Sequence, residues 1–316
     1  MRKTALIVGF TGQDGQILWK YLENLGYNLI GISTNKIISN YYSLNHSNFN
    51  ISSESDIKSL ISTIYIDEIY FLAAVHQSST DVLDNELDYF RKSNEVNFVS
   101  PSTILSCIFN YSKKTKFFYA SSSHIFRGSV QTPQNEETKP VPLCIYGITK
   151  TSGTYITQYF ANKGVFASVG ILYNHESIFR DRKFVSQKII KGAVAIKKGL
   201  LDSLTLGSLD AKIDWGYAPD FVKAYHMILN ISKPDTFIIS TYKLTSIADF
   251  VEETFNQLGL DWRKYIKIDS EIIKKGLQNN LLGDHSKLKN MTGWYPETTF
   301  SEMIKILLDY ELSNNG

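Results

Sequence analysis

The sequence predicts an α/β protein with a doubly wound, parallel, Rossmann-type sheet and a smaller C-terminal substrate-binding lobe. Short apolar runs of strand length recur through the first half of the chain, separated by segments long enough for helices. A glycine-rich loop follows the first run and leads into a segment with helical spacing. Beyond residue 173 the alternation breaks down, as expected for a lobe built from insertions.

The predicted strands of the sheet are residues 4–8, 28–32, 68–72, 116–121 and 165–172. Gly26 is placed to end the first helix, and Ser53 or Ser55 to cap the second. A helix that opens near Tyr146 is expected to end at Gly164. These elements predict a dinucleotide-binding domain over 1–173. Residues 174–316 would mainly form the nucleotide-sugar-binding lobe, with segments returning to the first domain.

Composition restricts the function classes. The chain has 316 residues, 43% of them hydrophobic, and a formal net charge of +2 without a basic stripe, so we expect neither a nucleic acid nor a membrane partner. No apolar run is long enough to span a bilayer, which predicts a soluble, cytoplasmic protein. Cys107 and Cys144 are isolated and lack zinc-site spacing, so no metal is expected and Cys107 is assigned to the core.

The glycine loop has the spacing G-x-x-G-x-x-G over residues 9–15. Gly9 allows a tight turn, Gly12 lets the backbone approach a pyrophosphate, and Gly15 lets the helix pack on the strand. The helix N-terminus then faces the phosphates. The loop predicts dinucleotide binding.

Tyr146 and Lys150 are four residues apart at the start of a predicted helix. Their side chains therefore lie on one face, where the ammonium can lower the pKa of the phenol. Ser122, at the end of the preceding strand, can share the phenol's proton. A tyrosine activated in this way can take a proton while hydride leaves a carbinol carbon.

In this order the motifs resemble the extended short-chain dehydrogenase/reductase superfamily. Longer strings resemble its GDP-mannose 4,6-dehydratases over most of the chain. These strings are Gly9-Phe-Thr-Gly-Gln-Asp-Gly15, Gly170-Ile-Leu-Tyr-Asn-His-Glu-Ser177, Phe184-Val-Ser-Gln-Lys-Ile189, Leu209-Asp-Ala-Lys-Ile-Asp-Trp-Gly216 and Leu282-Gly-Asp284.

The resemblance implies a set of site residues. The catalytic residues would be Ser122, Tyr146 and Lys150, with His124 at a fourth catalytic position. The cofactor NAD would contact Gly9, Thr11, Gly12, Gln13, Asp14, Gly15, Asn50, Ile51, Ala73, Tyr146, Lys150 and His175. A GDP-linked sugar would contact Ser122, Ser123, Asn174 and Lys188.

Three departures from the family pattern modify these expectations. His124 stands where the dehydratases carry the glutamate that acts at C5 of the sugar, so loss of dehydration is expected, although a histidine can also act as a base. The segment after the second strand, residues 32–36, lacks the arginines that suit a 2′-phosphate, which favours NAD and leaves Lys36 as the one cation for NADP. Ile213 replaces an arginine expected to contact the nucleotide.

The sequence therefore predicts an NAD-dependent oxidoreductase that oxidises C4 of a GDP-mannose-like hexose or heptose to a 4-keto sugar, in surface-polysaccharide sugar biosynthesis. A 4,6-dehydratase using His124, a nucleotide-sugar 4-epimerase and an inactive nucleotide-sugar-binding protein remain alternatives. Apolar residues in excess of one buried stripe also predict a homodimer or homotetramer. They lie on the helices near 88–111 and 146–163: Tyr89, Phe90, Phe109, Tyr155, Ile156, Tyr159 and Phe160.

Overall fold

The structure is a computed structural model that describes residues 2–34, 36–40, 49–76, 85–269 and 280–314. Asn35 and the side chain of Lys36 lie outside this described part. The strands are β1 (Thr4–Val8), β2 (Asn28–Ser33), β3 (Lys36–Ser39), β4 (Glu68–Phe71), β5 (Lys116–Ser122), β6 (Ala167–Leu172), β7 (Asn174–Glu176), β8 (Leu204–Leu206), β9 (Lys212–Tyr217), β10 (Thr236–Ile239), β11 (Leu244–Ser246) and β12 (Ile266–Ile268).

The α-helices are α1 (Gln13–Asn24), α2 (Glu54–Thr63), α3 (Glu86–Asn94), α4 (Ser100–Tyr111), α5 (Ile145–Asn162), α6 (Val185–Lys197), α7 (Ala218–Leu229), α8 (Ile247–Gln257), α9 (Ser286–Thr292) and α10 (Phe300–Asn314). A π-helical turn, Glu95–Val99, joins α3 to α4. Among the described residues, no helix combines the length and apolarity needed to cross a membrane.

A seven-stranded sheet carries the predicted doubly wound fold. Its strand order is β10-β6-β5-β4-β1-β2-β3, and every pairing is parallel except that of β2 with β3. Alternate residues of each strand face opposite layers: Leu6 packs with α2 and α4 residues, whereas Ile7 packs with α1 and α7 residues. Helices therefore cover both faces, and the predicted fold class is confirmed.

The second half of the chain contributes both to this sheet and to a smaller layer. β10 extends the large sheet beside β6. A three-stranded sheet, β11-β9-β7, and a pair, β12-β8, accompany α6, α8 and α10, which bury a separate apolar cluster. The sequence did not predict these short strands.

Several helix ends follow the sequence prediction. The Ser53 hydroxyl accepts a hydrogen bond from the Asp56 N–H and caps α2. Gly26 and Gly164 follow α1 and α5 with positive φ values of 81° and 92°, the left-handed conformation that glycine adopts at low cost. Cys107 is fully buried in the core, as expected.

Candidate active site

Ser122, Tyr146 and Lys150 meet at the carboxyl end of β5. Ser122 is the last residue of that strand, and Tyr146 and Lys150 lie on the first turns of α5. Cys144 caps α5, with its Sγ accepting a hydrogen bond from the Gly147 N–H at 3.4 Å. All three predicted catalytic side chains are buried.

The phenol of Tyr146 has a raised pKa. Burial raises the pKa of Tyr146 to about 12, against a hydrogen bond with Ser122 and the charge of Arg180, both of which lower it. Burial therefore opposes the lowering of the pKa of this phenol that the sequence predicts for Lys150.

The Lys150 ammonium is anchored to β5 and lies 5.9 Å from the centre of the Tyr146 ring. Its Nζ donates a hydrogen bond to the Ala120 carbonyl at 2.7 Å and lies 4.9 Å from the centre of the Tyr119 ring. Burial lowers the pKa of Lys150 to about 7, although the charge of Asp14 acts to raise it.

The π-helical turn supports this lysine. It places Asn97 so that its carbonyl accepts a hydrogen bond from the Tyr119 hydroxyl at 2.6 Å. The Asn97 amide nitrogen also donates to Ser93 and Thr149 at 3.0 Å each. A π-turn at this place is typical of functional sites, and here it ties the helix bearing Tyr146 to the sheet.

His124 lies inside the catalytic cluster. It follows Ser122 on the 3-10 turn Ser123–Phe126, and its backbone N–H donates to the Ser122 hydroxyl at 3.3 Å. The His124 ring stands edge-on to the Tyr146 ring, with centroids 5.6 Å apart. Burial, then the charges of Arg127 and His76, lower the pKa of His124 to about 3. Its imidazole is therefore neutral at physiological pH.

Two residues that the sequence reasoning missed act on Tyr146, His76 by ring contact and Arg180 by its charge. The His76 ring lies edge-on to the Tyr146 ring at 4.7 Å between centroids. Arg180 stacks its guanidinium 3.6 Å from the centre of the Phe184 ring and forms an ion pair with buried Glu176 at 3.5 Å. The signal for His76 was its place shortly after β4, because the carboxyl ends of parallel strands share one edge.

The glycine loop has the geometry of a dinucleotide site. Gly9 has a φ of 88°, and a Cβ on it would lie 2.7 Å from the Ala73 nitrogen. A Cβ on Gly15 would lie 2.3 Å from the Gly9 carbonyl oxygen, so α1 approaches the loop as closely as glycine permits. Gly12 and Thr11 are exposed, and Gly12 caps α1 without a side-chain hydrogen bond.

Gln13 and Asp14 connect this loop to the second half of the chain. Asp14 accepts hydrogen bonds from His175 Nε2 at 3.0 Å and from the Tyr225 hydroxyl at 2.9 Å. Gln13 donates to the His175 carbonyl at 3.1 Å and accepts from the Ser177 hydroxyl at 2.9 Å. The side chains of Gln13, Asp14 and His175, expected at the cofactor, are thus engaged with one another.

The ionisation states of Asp14 and His175 depend on each other. Burial alone would raise the pKa of Asp14, but the charge and hydrogen bond of His175 and the Tyr225 hydrogen bond lower it to about 2. Burial acts to lower the pKa of His175, but the charge and hydrogen bond of Asp14 raise it. The two residues therefore favour a carboxylate–imidazolium pair.

The remaining expected site residues are Asn50, Ile51, Ser123, Asn174 and Lys188. Asn50 forms a turn before α2, with its side-chain oxygen accepting from the Ser52 N–H at 2.9 Å, and Ile51 packs against the core. Ser123 is buried beside Ser122. Asn174 opens β7, while Lys188 is exposed on the first turn of α6. The described residues contain no cluster of three potential metal ligands.

Comparison with known proteins identifies the family. The sequence model of the GDP-mannose 4,6 dehydratase family matches residues 6–307. The chain belongs to this family. GDP-mannose 4,6 dehydratase 2 of Arabidopsis thaliana is 34% identical over 331 residues, which cover 98% of this chain and 87% of the plant protein.

Two solved structures show the same fold at low identity. RMD from Pseudomonas aeruginosa, complexed with NADPH, superposes with a TM-score of 0.81 and 18% identity over 99% of each chain. dTDP-glucose 4,6-dehydratase from Bacillus anthracis, in complex with NAD, superposes with a TM-score of 0.80 and 16% identity, covering 99% of this chain and 97% of that one.

Proposed function

We propose that this protein oxidises C4 of a GDP-mannose-like hexose or heptose to a 4-keto sugar with NAD as hydride acceptor, in surface-polysaccharide sugar biosynthesis. One observation carries the proposal: Ser122, Tyr146 and Lys150 meet at the strand edge, while position 124 presents an imidazole in place of a carboxylate. C4 oxidation needs the first three residues. Water elimination across C5 and C6 needs, in addition, a base for the C5 proton and an acid for the departing C6 hydroxyl.

Each catalytic side chain has a defined task in this proposal. Tyr146 first loses its phenolic proton to solvent and then, as the phenolate, takes the proton of the C4 hydroxyl; the hydrogen bond with Ser122 and the charge of Arg180 lower the pKa of the phenol and so favour the phenolate. Ser122, hydrogen-bonded to the phenol, orients the same hydroxyl. Lys150, buried beside Tyr119, holds the nicotinamide ribose. The dinucleotide supplies the hydride acceptor when bound.

The glycine loop fits a dinucleotide. The uncapped start of α1 offers backbone N–H groups to a diphosphate, and Gly12 leaves room for it. We propose NAD rather than NADP because Ser33 and Thr34 at the end of β2 provide no guanidinium for a 2′-phosphate. Denaturing the purified protein and identifying the released nucleotide tests this choice, and predominant NADP(H) would contradict it. Lys150→Ala should lower the amount of bound dinucleotide.

The activity itself is tested with GDP-mannose and excess NAD. Mass spectrometry of the product should show loss of two hydrogens together with stoichiometric NADH. Tyr146→Phe provides the matched control, because it removes one hydroxyl from the same ring. An unchanged mass with a new retention time would indicate a 4-epimerase. Absence of any product from the wild type would contradict the proposed oxidation of GDP-mannose.

A 4,6-dehydratase is the second candidate, favoured by the family and by one geometric observation. The His124 ring is 5.6 Å from the Tyr146 ring, so it lies within the reacting cluster. In this case the product mass would fall by one water and no net NADH would form. A water-loss product from the wild type that disappears in His124→Ala would establish this function.

We also propose that the protein forms a homodimer or homotetramer. Phe90 on α3 and Tyr155 and Tyr159 on α5 are each more than two-fifths exposed. Phe109, Ile156 and Phe160, which were predicted to lie at the same interface, instead pack partly against the core. The exposed aromatics therefore carry this proposal, and light scattering at micromolar concentration tests it.

A further inference from the structure

A second histidine, His76, lies closer to the reacting phenol than His124 does. Its ring centroid is 4.7 Å from that of Tyr146, compared with 5.6 Å for His124, and the two imidazoles are 6.0 Å apart. His76 belongs to the segment that leaves the carboxyl end of β4, the strand paired with β5. Two adjacent strands thus each deliver an imidazole to Tyr146.

The two histidines have different surroundings. The His124 Nδ1 is 3.9 Å from the Cys144 sulfur, and its backbone N–H is bonded to Ser122. Its low pKa makes it a weak proton acceptor. The His76 ring instead contacts the ring of Phe184, with centroids 5.5 Å apart.

Phe184 connects His76 to the segment proposed to bind the substrate. It is the residue before α6 and opens the segment assigned to the nucleotide sugar by resemblance. The Arg180 guanidinium stacks on the Phe184 ring, 3.6 Å from the ring centre. His76 therefore contacts both the Tyr146 ring and the proposed substrate segment, whereas His124 lies against Cys144 at the start of α5.

We propose that His76 is the general base that takes the C5 proton of the 4-keto sugar. This inference rests on the proposed function, because the C4 ketone is what acidifies C5. The C5–H bond breaks, its electron pair forms the C4–C5 double bond, and the carbonyl π electrons move to the C4 oxygen to give an enolate. The imidazole nitrogen carries the proton and returns it, or a solvent deuteron, to C5. Loss of the C6 hydroxyl would need a further proton donor and is not part of the inference.

The test supplies a chemically prepared GDP-linked 4-ketohexose to the NAD-loaded protein in D₂O. Deuterium at C5 is followed by NMR and mass spectrometry, so the readout does not depend on oxidation at C4. We expect the wild type to exchange C5, and His76→Ala to lose roughly 100-fold in exchange rate, the usual scale for a removed general base. Added imidazole should restore exchange in His76→Ala, which a purely structural role would not produce.

His124→Asn is the matched comparison, and thermal unfolding checks that both variants fold. The inference is overturned if the wild type does not exchange C5, if His76→Ala exchanges at the wild-type rate, or if imidazole rescues exchange in His124→Asn but not in His76→Ala. C5 exchange without oxidation of GDP-mannose would support His76 as the base and would reject only the proposed C4 oxidation.

Discussion

Alanine at Gly12 and at Gly15 should separate two tasks of one loop. A Cβ on Gly15 would lie 2.3 Å from the Gly9 carbonyl oxygen and 2.5 Å from the Phe10 Cα. These are backbone atoms and cannot rotate away. A Cβ on Gly12 would meet the Gly9 oxygen at 3.3 Å and, within 4 Å, no other atom of the described chain outside its immediate neighbours. The same added methyl group is therefore buried against backbone at one position and exposed at the other.

The expected magnitudes follow from these contacts. Gly15→Ala should destabilise the fold by about 1–3 kcal/mol, as overpacking does, and lower Tm by roughly 1.5–4.5 °C. Gly12→Ala should change stability by less than about 1 kcal/mol, because alanine is a poorer cap but reduces the entropy of the unfolded chain. Its methyl group would occupy the space assigned to the diphosphate, so NAD affinity should fall at least about tenfold, or 1.4 kcal/mol.

Thermal unfolding without added nucleotide measures the first effect, and calorimetric titration with NAD measures the second. The reasoning would be refuted if Gly12→Ala bound NAD as tightly as the wild type. An unchanged Tm for Gly15→Ala would show that the helix and loop can separate without cost.

Three further predictions concern other parts of the molecule. Tyr146→Phe should reduce hydride transfer by roughly two to four orders of magnitude, with Tm nearly unchanged, and near-normal NADH production would reject its role. The Asp14–His175 pair should stabilise the fold most between about pH 4 and 6.5. Below this window Asp14 becomes protonated as the pH falls towards its lowered pKa of about 2, and the stabilisation is lost. Above the window His175 loses its proton as the pH rises through its raised pKa, and the stabilisation is lost again. The Tm difference between wild type and His175→Gln should peak in that window, and a pH-independent difference would contradict the pair. Tyr155→Ser combined with Tyr159→Ser should shift the light-scattering mass towards the monomer, whereas a wild-type protein that is already monomeric would remove the oligomer proposal.

The parallel sheet could be predicted because its strands are buried on both faces. Such strands appear in sequence as continuous apolar runs, for example residues 4–8 and 116–121. β8 and β11 could not be predicted, since three residues carry too little periodicity to distinguish a strand from a loop. β3 was also missed, because four residues at the sheet edge show too little periodicity to indicate a strand.

The site was predictable where spacing along the chain fixes geometry. Tyr146 and Lys150 are one helical turn apart, and three glycines define one loop. The direction of the Tyr146 pKa shift was not predictable, because it depends on how completely the folded chain excludes water from the phenol. The effect of the Arg180 charge on the pKa of Tyr146 was not predictable either, since the position of Arg180 depends on the path of the loop after β7.

The topology of the sheet gives two adjacent strands access to the proposed site. β4 and β5 are parallel neighbours, with Phe71 opposite Tyr119, so both strands deliver the residues that follow them to one edge. A base after either strand can therefore approach the same substrate carbon. The resemblance to the dehydratases assigns a glutamate to the position of His124 on the β5 side, and the structure places His76 from the β4 side against the same tyrosine.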